Sequence, residues 1–343
     1  MANEKKTVRE PSFILALVPI VAMIGFMLYC FHGHSETGYH DAHLPLVMSI
    51  IVACIVGFIC GHSFQEMLAG MVERLAASME AVLILATVGF LVTSFMLSGA
   101  IPTMIVYGLD LLTPKLFLPV GCILCAIVGM ACGSSWTTTA TIGLAFLGIG
   151  AGLGIPAPIT AGMIISGAYV GDKFSPLSDT TNLAAAVAET GLFDHVTAMV
   201  STTGPTLLLS LILYTILGLN VDTSAYDATV AEGIQEAFRG AFTISPILLL
   251  PIIVVIVMCI LRVPGLVGIA VSVATAVLFM LIFQSTDIFY SYSLGDIFDV
   301  LHYGNAVETG NAVADSILGK AKGMDGMMWT INLILVALAY GGA

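Results

Sequence analysis

From Leu116 to Gly171 the chain carries no charged residue. In a soluble domain about a quarter of residues are charged, so a window of this length cannot form a water-facing surface. Three more charge-free windows follow the same pattern, at 81–109, 240–261 and 263–286. A membrane-spanning helix needs about 20 predominantly apolar residues, and each window holds at least one. Over 343 residues the chain is 58% hydrophobic and 9% charged, with a mean hydropathy of +1.04. These values exclude a soluble enzyme and a disordered chain. A net charge of −12 would repel a phosphate backbone, which excludes nucleic acid as a partner. The seven cysteines are scattered and imply no disulfide framework. The fold class is an all-α polytopic membrane protein in contact with lipid.

The apolar pattern predicts full spans near 12–31, 44–61, 80–97, 116–132, 133–150, 155–171, 197–219, 242–261, 264–284 and 327–343. Residues 101–112 are too short for a normal crossing and suit a half-helix or part of a re-entrant element. The first span exceeds the apolar core of a signal peptide and has no small-x-small site after it, so it reads as a retained helix. Lys5, Lys6 and Arg9 place the N-terminus on the cytoplasmic side. The loop from His32 to His43 lacks Lys and Arg and is expected outside. Residues 220–241 carry four acids before Arg239 and are expected as an extracytoplasmic loop. Lys320 and Lys322 fall on the unfavoured side of this scheme. The stretches 62–79 and 287–324 mix acids with aromatic and aliphatic residues and are expected to lie along the interface.

One segment breaks the apolar pattern. Residues 171–184 read Gly-Asp-Lys-Phe-Ser-Pro-Leu-Ser-Asp-Thr-Thr-Asn-Leu-Ala. Asp172, Lys173 and Asp179 are thereby placed at membrane depth, where each charge costs about 2.5–3.5 kcal/mol at a helix centre unless paired or hydrated. Pro176 removes a backbone donor and should break the helix. Freed carbonyls are tolerated at depth only where they face protein or water. Together with Ser175, Ser178, Thr180, Thr181, Asn182 and the two carboxylates, they form an oxygen-rich cluster. Oxygen ligands suit a hard cation such as Na+, and discontinuous helices near the midplane are how carriers present them. The competing reading is an ordinary loop with a Ser-Pro turn and Asp179 as an N-cap.

A second polar run, Gly133-Ser134-Ser135-Trp136-Thr137-Thr138-Thr139-Ala140-Thr141, is uncharged and rich in hydroxyls. Ser134, Ser135, Thr137 and Thr138 could wall a cavity facing the Asp172 segment. Alternatively, each hydroxyl could bond back to its own helix carbonyls. The alternating glycines 148, 150, 152 and 154 lack a following Gly-Lys-Ser/Thr and read as a turn rather than a phosphate loop. Gly167 and Gly171 form a small-xxx-small pair that lets another backbone approach beside Asp172. Cys122 and Cys125 sit in an apolar helix without a second pair, which points to packing rather than metal. His32, His34, His40 and His43 could bind a metal or sense pH, or simply belong to a solvated loop. His195 could shuttle protons or simply end a helix.

The run from Gly171 to Ala184 resembles the signature of the NhaC-type Na+/H+ antiporter family, and Gly133-Ser134-Ser135-Trp136 resembles that family's Gly-Thr/Ser-Ser-Trp segment. The resemblance implies an inverted-repeat secondary transporter with broken helices and a re-entrant hairpin. It makes Asp172 and Asp179 candidate cation and proton carriers, and Ser178, Thr180, Thr181 and Asn182 candidate ligands. Members run well past residue 343 and carry another polar motif near their C-terminus. The expected organisation is a first repeat at 1–219, an extracytoplasmic loop at 220–241, and the beginning of a truncated second repeat at 242–343. Pro45 and Pro264 each open the second span of a repeat. The expected function is exchange of Na+ for H+ across the cell membrane. Burial disfavours a charged carboxylate, so a proton and a cation exclude one another there. Lys173 could pair with a carboxylate in the empty site or clamp the broken helix. No cofactor beyond the transported Na+ and H+ is expected, no resident metal and no enzymatic activity. A homodimer is one assembly open to such a carrier. The alternative function is a malate/lactate-type organic-acid antiporter coupled to H+ and Na+.

Overall fold

The computed structural model describes residues 9–32, 41–175, 178, 180–181, 184–185, 188, 190–220, 228–261, 263–284, 294–304 and 307–343. Helix is the regular structure throughout, and no strand occurs among the described residues. Backbone groups at membrane depth must be satisfied within their own segment, which apolar helices achieve and open sheets do not. The described chain forms two compact units, one of residues up to 86 together with 327–343, the other of residues 87–326.

In the first unit, α1 (Phe13–His32) packs on α2 (His43–Cys60). α2 stops at Gly61, whose φ of 97° is a left-handed conformation that glycine adopts without strain. α3 (Phe64–Ala77) starts with a capping box in which Ser63 and Glu66 satisfy each other's backbone N–H. It buries Met67 and Met71 and exposes its charged face, as an amphipathic helix does. Gly70 meets the backbone of Gly342 near the end of α16 (Asp325–Gly342).

The second unit holds the core. α4 (Met79–Leu97), which begins in the first unit, breaks at Ser98–Gly99, and a short helix, α5 (Ala100–Leu111), continues from it. Phe95, Met96, Leu97, Ile101 and Ile105 are fully buried at this junction. α5 is the short, non-spanning helix that the sequence implies. α6 (Pro114–Cys132) ends at Gly133, with φ 64°, and is followed by the helical stretch that carries the hydroxyl run. α9 (Ala157–Phe174) packs along α6, and α10 (Leu192–Leu219) packs against both.

Three expectations change. Residues 133–150 are not one α-helical span. They form a turn followed by α7 (Ser135–Thr138), a π-helical turn (Thr139–Gly143) and α8 (Leu144–Gly152). Residues 228–241, expected within a loop, form α11 (Ala228–Ala241). Its buried Ala231, Ile234, Phe238 and Ala241 are spaced three or four apart, while Glu232, Glu236 and Arg239 face out. The acids are thus the exposed face of a helix rather than the mark of a loop.

The expected span 242–261 turns by 91° from α11 through a 3-10 turn (Pro246–Leu249) into an 11-residue helix, α12 (Leu250–Ile260). Beyond residue 301 the stretch 287–324 is bonded to the rest of its unit. Gly323 donates its N–H to Thr93 at 2.9 Å, Met324 donates to the carbonyl of Leu301, and Gly89 abuts the Gly323 carbonyl. Among the described residues, α1, α2, α10 and α13 (Gly265–Phe283) are each long and apolar enough to cross a membrane. Two bent pairs, 64–77 with 82–97 and 229–241 with 246–258, also qualify if each is one span.

Candidate functional site

The site is built where α9 stops. Pro176 forbids a helical conformation at the residue before it, and α9 ends at Phe174, with Ser175 extended at φ −84°, ψ 123°. Asp172 therefore lies in the last helical turn, and the chain beyond it is non-helical at Ser175 and Ser178. Asp172 is 8% exposed. A carboxylate at a helix C-terminus faces the negative end of the helix dipole, so it needs donors from elsewhere.

The donor comes from the hydroxyl run. Ser135 donates its Oγ–H to Asp172 Oδ2 at 3.0 Å. Ser135 opens α7, and Ser134 caps it by accepting the N–H of Thr137 at 3.2 Å. The carboxylate thus meets the side chain of the first residue of α7. The other hydroxyls of the run divide. Thr138, Thr139 and Thr141 bond back to the carbonyls of Ser134, Ser135 and Thr137, each within 2.9 Å. Thr137 is 5% exposed and Thr138 is fully buried. The run therefore divides residue by residue: three threonines bond back, and Ser135 reaches across to Asp172.

The chain beyond the break folds back over the end of α9. Thr181 Oγ donates to the carbonyls of Asp172 and Lys173, at 3.3 and 3.4 Å. Ser178 and Thr180 share a hydroxyl–hydroxyl bond of 2.9 Å, and Ser178 Oγ accepts the N–H of Thr181. Ser175, Ser178 and Thr181 are buried, whereas Thr180 is exposed. Lys173 is also exposed and makes no ion pair among the described residues. Asp179 and Asn182, with Pro176, lie outside the described residues. The continuous helix that would have defeated the broken-helix expectation is absent at the described positions.

α9 is held in place by glycines. A methyl group on Gly167 would collide with the carbonyl of Cys122 and with Cys125, and one on Gly171 with the carbonyl of Ala126 and the N–H of Met130. Gly129 on the facing helix would meet the carbonyl of Ala168 at 2.8 Å. Cys122 and Cys125 are fully buried in this backbone-to-backbone seam, and no cluster of metal-binding side chains occurs among the described residues. One supporting residue carried no sequence signal. Gln284 is 1% exposed, and its amide donates to the carbonyls of Ser98 and Thr243 while accepting the N–H of Thr243. In the sequence it is a lone amide after an apolar run, like any polar residue at a helix end.

A buried carboxylate, the Ser135 hydroxyl and the carbonyls at the end of α9 thus lie together at the helix break. Residues 167–343 match the Na+/H+ antiporter family. The chain is 35% identical to the arginine/ornithine antiporter ArcD of Halobacterium salinarum, over 97% of this chain and 67% of that protein. It is 34% identical to the Na+/H+ antiporter NhaC of Alkalihalophilus pseudofirmus, over 88% of this chain and 64% of the relative. It is 31% identical to the malate-2H+/Na+-lactate antiporter of Bacillus subtilis, over 98% and 70%. The chain thus spans about two thirds of the length of these relatives. No solved structure matches. The chain belongs to the Na+/H+ antiporter family.

Proposed function

We propose that the protein is a multi-pass secondary transporter of the cell membrane that exchanges Na+ for H+. Asp172 and Asp179 carry the exchange, and Ser134, Ser135, Thr137, Thr138, Ser175, Ser178, Thr180, Thr181 and Asn182 supply candidate ligands. The observation that carries this reading is the buried Asp172 held by Ser135 at the end of a broken helix. A proton on the carboxylate neutralises it, and Na+ neutralises it by coordination. Both cannot occupy it together, so outward passage of one requires inward passage of the other.

Lys173 serves in this reading as a counter-charge or a clamp next to the empty site. Residues 1–219 form a first repeat and 242–343 begin a second of inverted topology, with 220–241 between them. The N-terminus lies in the cytoplasm, and a homodimer stays open as the assembly.

The family match and the NhaC relative favour Na+/H+ exchange over the organic-acid alternative. The malate/lactate relative keeps that alternative specific. A carrier of organic acids would set a base, such as Lys173, or a helix N-terminus against the substrate carboxylate.

The test is a pH-gradient assay in everted vesicles with Na+, Li+, K+, lactate and malate offered in turn. Na+ should dissipate the gradient in the wild-type protein, and Asp172→Asn and Asp179→Asn should each abolish this while leaving the protein folded. Dissipation by lactate or malate alone would replace this function with the organic-acid one. Wild-type exchange in both variants would remove the two carboxylates from the mechanism.

A further inference from the structure

Among the described residues, two side chains of α9 hydrogen-bond to side chains of other helices. One is Asp172, which accepts from Ser135. The other is Ser166, six residues earlier, whose Oγ lies 2.9 Å from the phenol oxygen of Tyr214 on α10. Ser166 donates its proton to the carbonyl of Gly162 at 2.8 Å. A serine hydroxyl has one O–H only, so Tyr214 is the donor in the bond between the helices. Both side chains are half-buried.

α6, α9 and α10 close a triangle, and bare backbone makes two of its sides. Gly167 and Gly171 bring α9 against α6, and a methyl group on Gly218 of α10 would collide with the carbonyl of Lys115 at the start of α6. Small residues set how near two helices lie, but they offer no knob that stops one from sliding along the other. The third side differs. Ser166 sits about 100° around the helix from Gly167, and its bond to Tyr214 is directional, so it fixes the height of α9. Asp172 lies six residues, about 9 Å, farther along the same helix. Its bond to Ser135 is 3.0 Å long, and a hydrogen bond is lost by about 3.5 Å. A slip of about half an ångström therefore separates the carboxylate from the hydroxyl.

We infer, on the exchange reading of Asp172, that Tyr214 is a positioning residue: its phenol holds α9 at the height that keeps Asp172 on Ser135. Tyr214 touches no transported ion and acts through α9.

Tyr214→Phe keeps the ring and removes the O–H. In the vesicle assay it should raise the half-saturating Na+ concentration about threefold to tenfold, the range that one neutral hydrogen bond can transmit, with little change in the rate at saturating Na+. Ser166→Ala removes the same bond, and the double variant should do no more than either single one. In a Ser135→Ala background Tyr214→Phe should add nothing, because the contact that it positions is already gone. A purely structural tyrosine would lower the melting temperature and leave the Na+ dependence where it was. That result overturns the positioning role, as does full additivity with Ser135→Ala. Amide hydrogen exchange of residues 172–175 needs no transported ion, and Tyr214→Phe should quicken it. If the wild-type protein carries no Na+, the transport reading falls and the amide measurement decides alone, with unchanged protection overturning the role. If Tyr214→Phe does not fold, Ser166→Ala takes its place in each comparison.

Discussion

Ser135 meets Asp172 through one hydrogen bond, and its removal tests the site without touching a carboxylate. A hydrogen bond to a charged group contributes about 1.5–3 kcal/mol, and 1.4 kcal/mol is a factor of ten. Ser135→Ala should therefore raise the half-saturating Na+ concentration about tenfold or more in the vesicle assay, and Ser135→Thr should restore much of it. An unchanged Na+ dependence in Ser135→Ala would mean that the bond is structural only. Asp315 offers a pH prediction away from the membrane spans. The N–H and the hydroxyl of Thr309 both donate to it at 2.7 Å and hold its carboxyl below the usual range. Its contribution to the folded state is therefore present above the ordinary carboxylate range and is lost as pH falls through the lowered value. Thr309→Val keeps the backbone donor and removes the hydroxyl, so acid loosening of residues 307–318 should begin at higher pH, read by hydrogen exchange. Asp172 was legible in the sequence because a charge after a charge-free window has few reasons to be there. The individual fates of Ser135, Thr138 and Thr139 were not, since back-bonding and cross-chain bonding use the same hydroxyl.

At the scale of the element, the seam between α6 and α9 positions Asp172, and glycine spacing announced it. Gly171→Ala should lower stability by about 1–3 kcal/mol, because the added methyl group collides with fixed backbone. Gly162→Ala in the same helix meets only the Tyr214 hydroxyl at 3.5 Å and should be neutral or slightly stabilising. Thermal unfolding of the two variants in one detergent makes the comparison, and equal losses would remove the seam's special role. The π-helical turn at Thr139–Gly143 follows directly on α7 and its Ser135. Such a turn holds one residue more than an α-helical one, a feature that hydrophobicity does not register. α11 was hidden for a different reason. Its apolar residues recur at helical spacing, but acids between them resemble a loop when only charge is counted.

For the whole molecule, the sequence makes membrane residence plain, because a charge-poor chain leaves no other solvent. It overstates the number of plain spans, since apolar runs look alike whether a helix continues, bends or stops. The bend of 91° between 229–241 and 246–258 and the break at Gly99 both occur inside charge-free or nearly charge-free stretches. The proposed inverted repeats predict that single cysteines placed just before Pro45 and just before Pro264 label from opposite sides of the membrane in a cysteine-free background. Labelling from one side would remove the inverted topology. Gln284→Leu should cost about 1–3 kcal/mol, since it leaves the buried Ser98 carbonyl without its partner and also removes the bonds to Thr243. A loss of melting temperature no larger than that of Gly162→Ala would show that water replaces the amide. The same side chain has a mechanical meaning. Ser98 marks the break before α5, and Thr243 marks the corner after α11, far apart in sequence yet fastened to one amide. One side chain thus rivets two breaks of the chain to each other, and a swing at either would have to break a bond to Gln284.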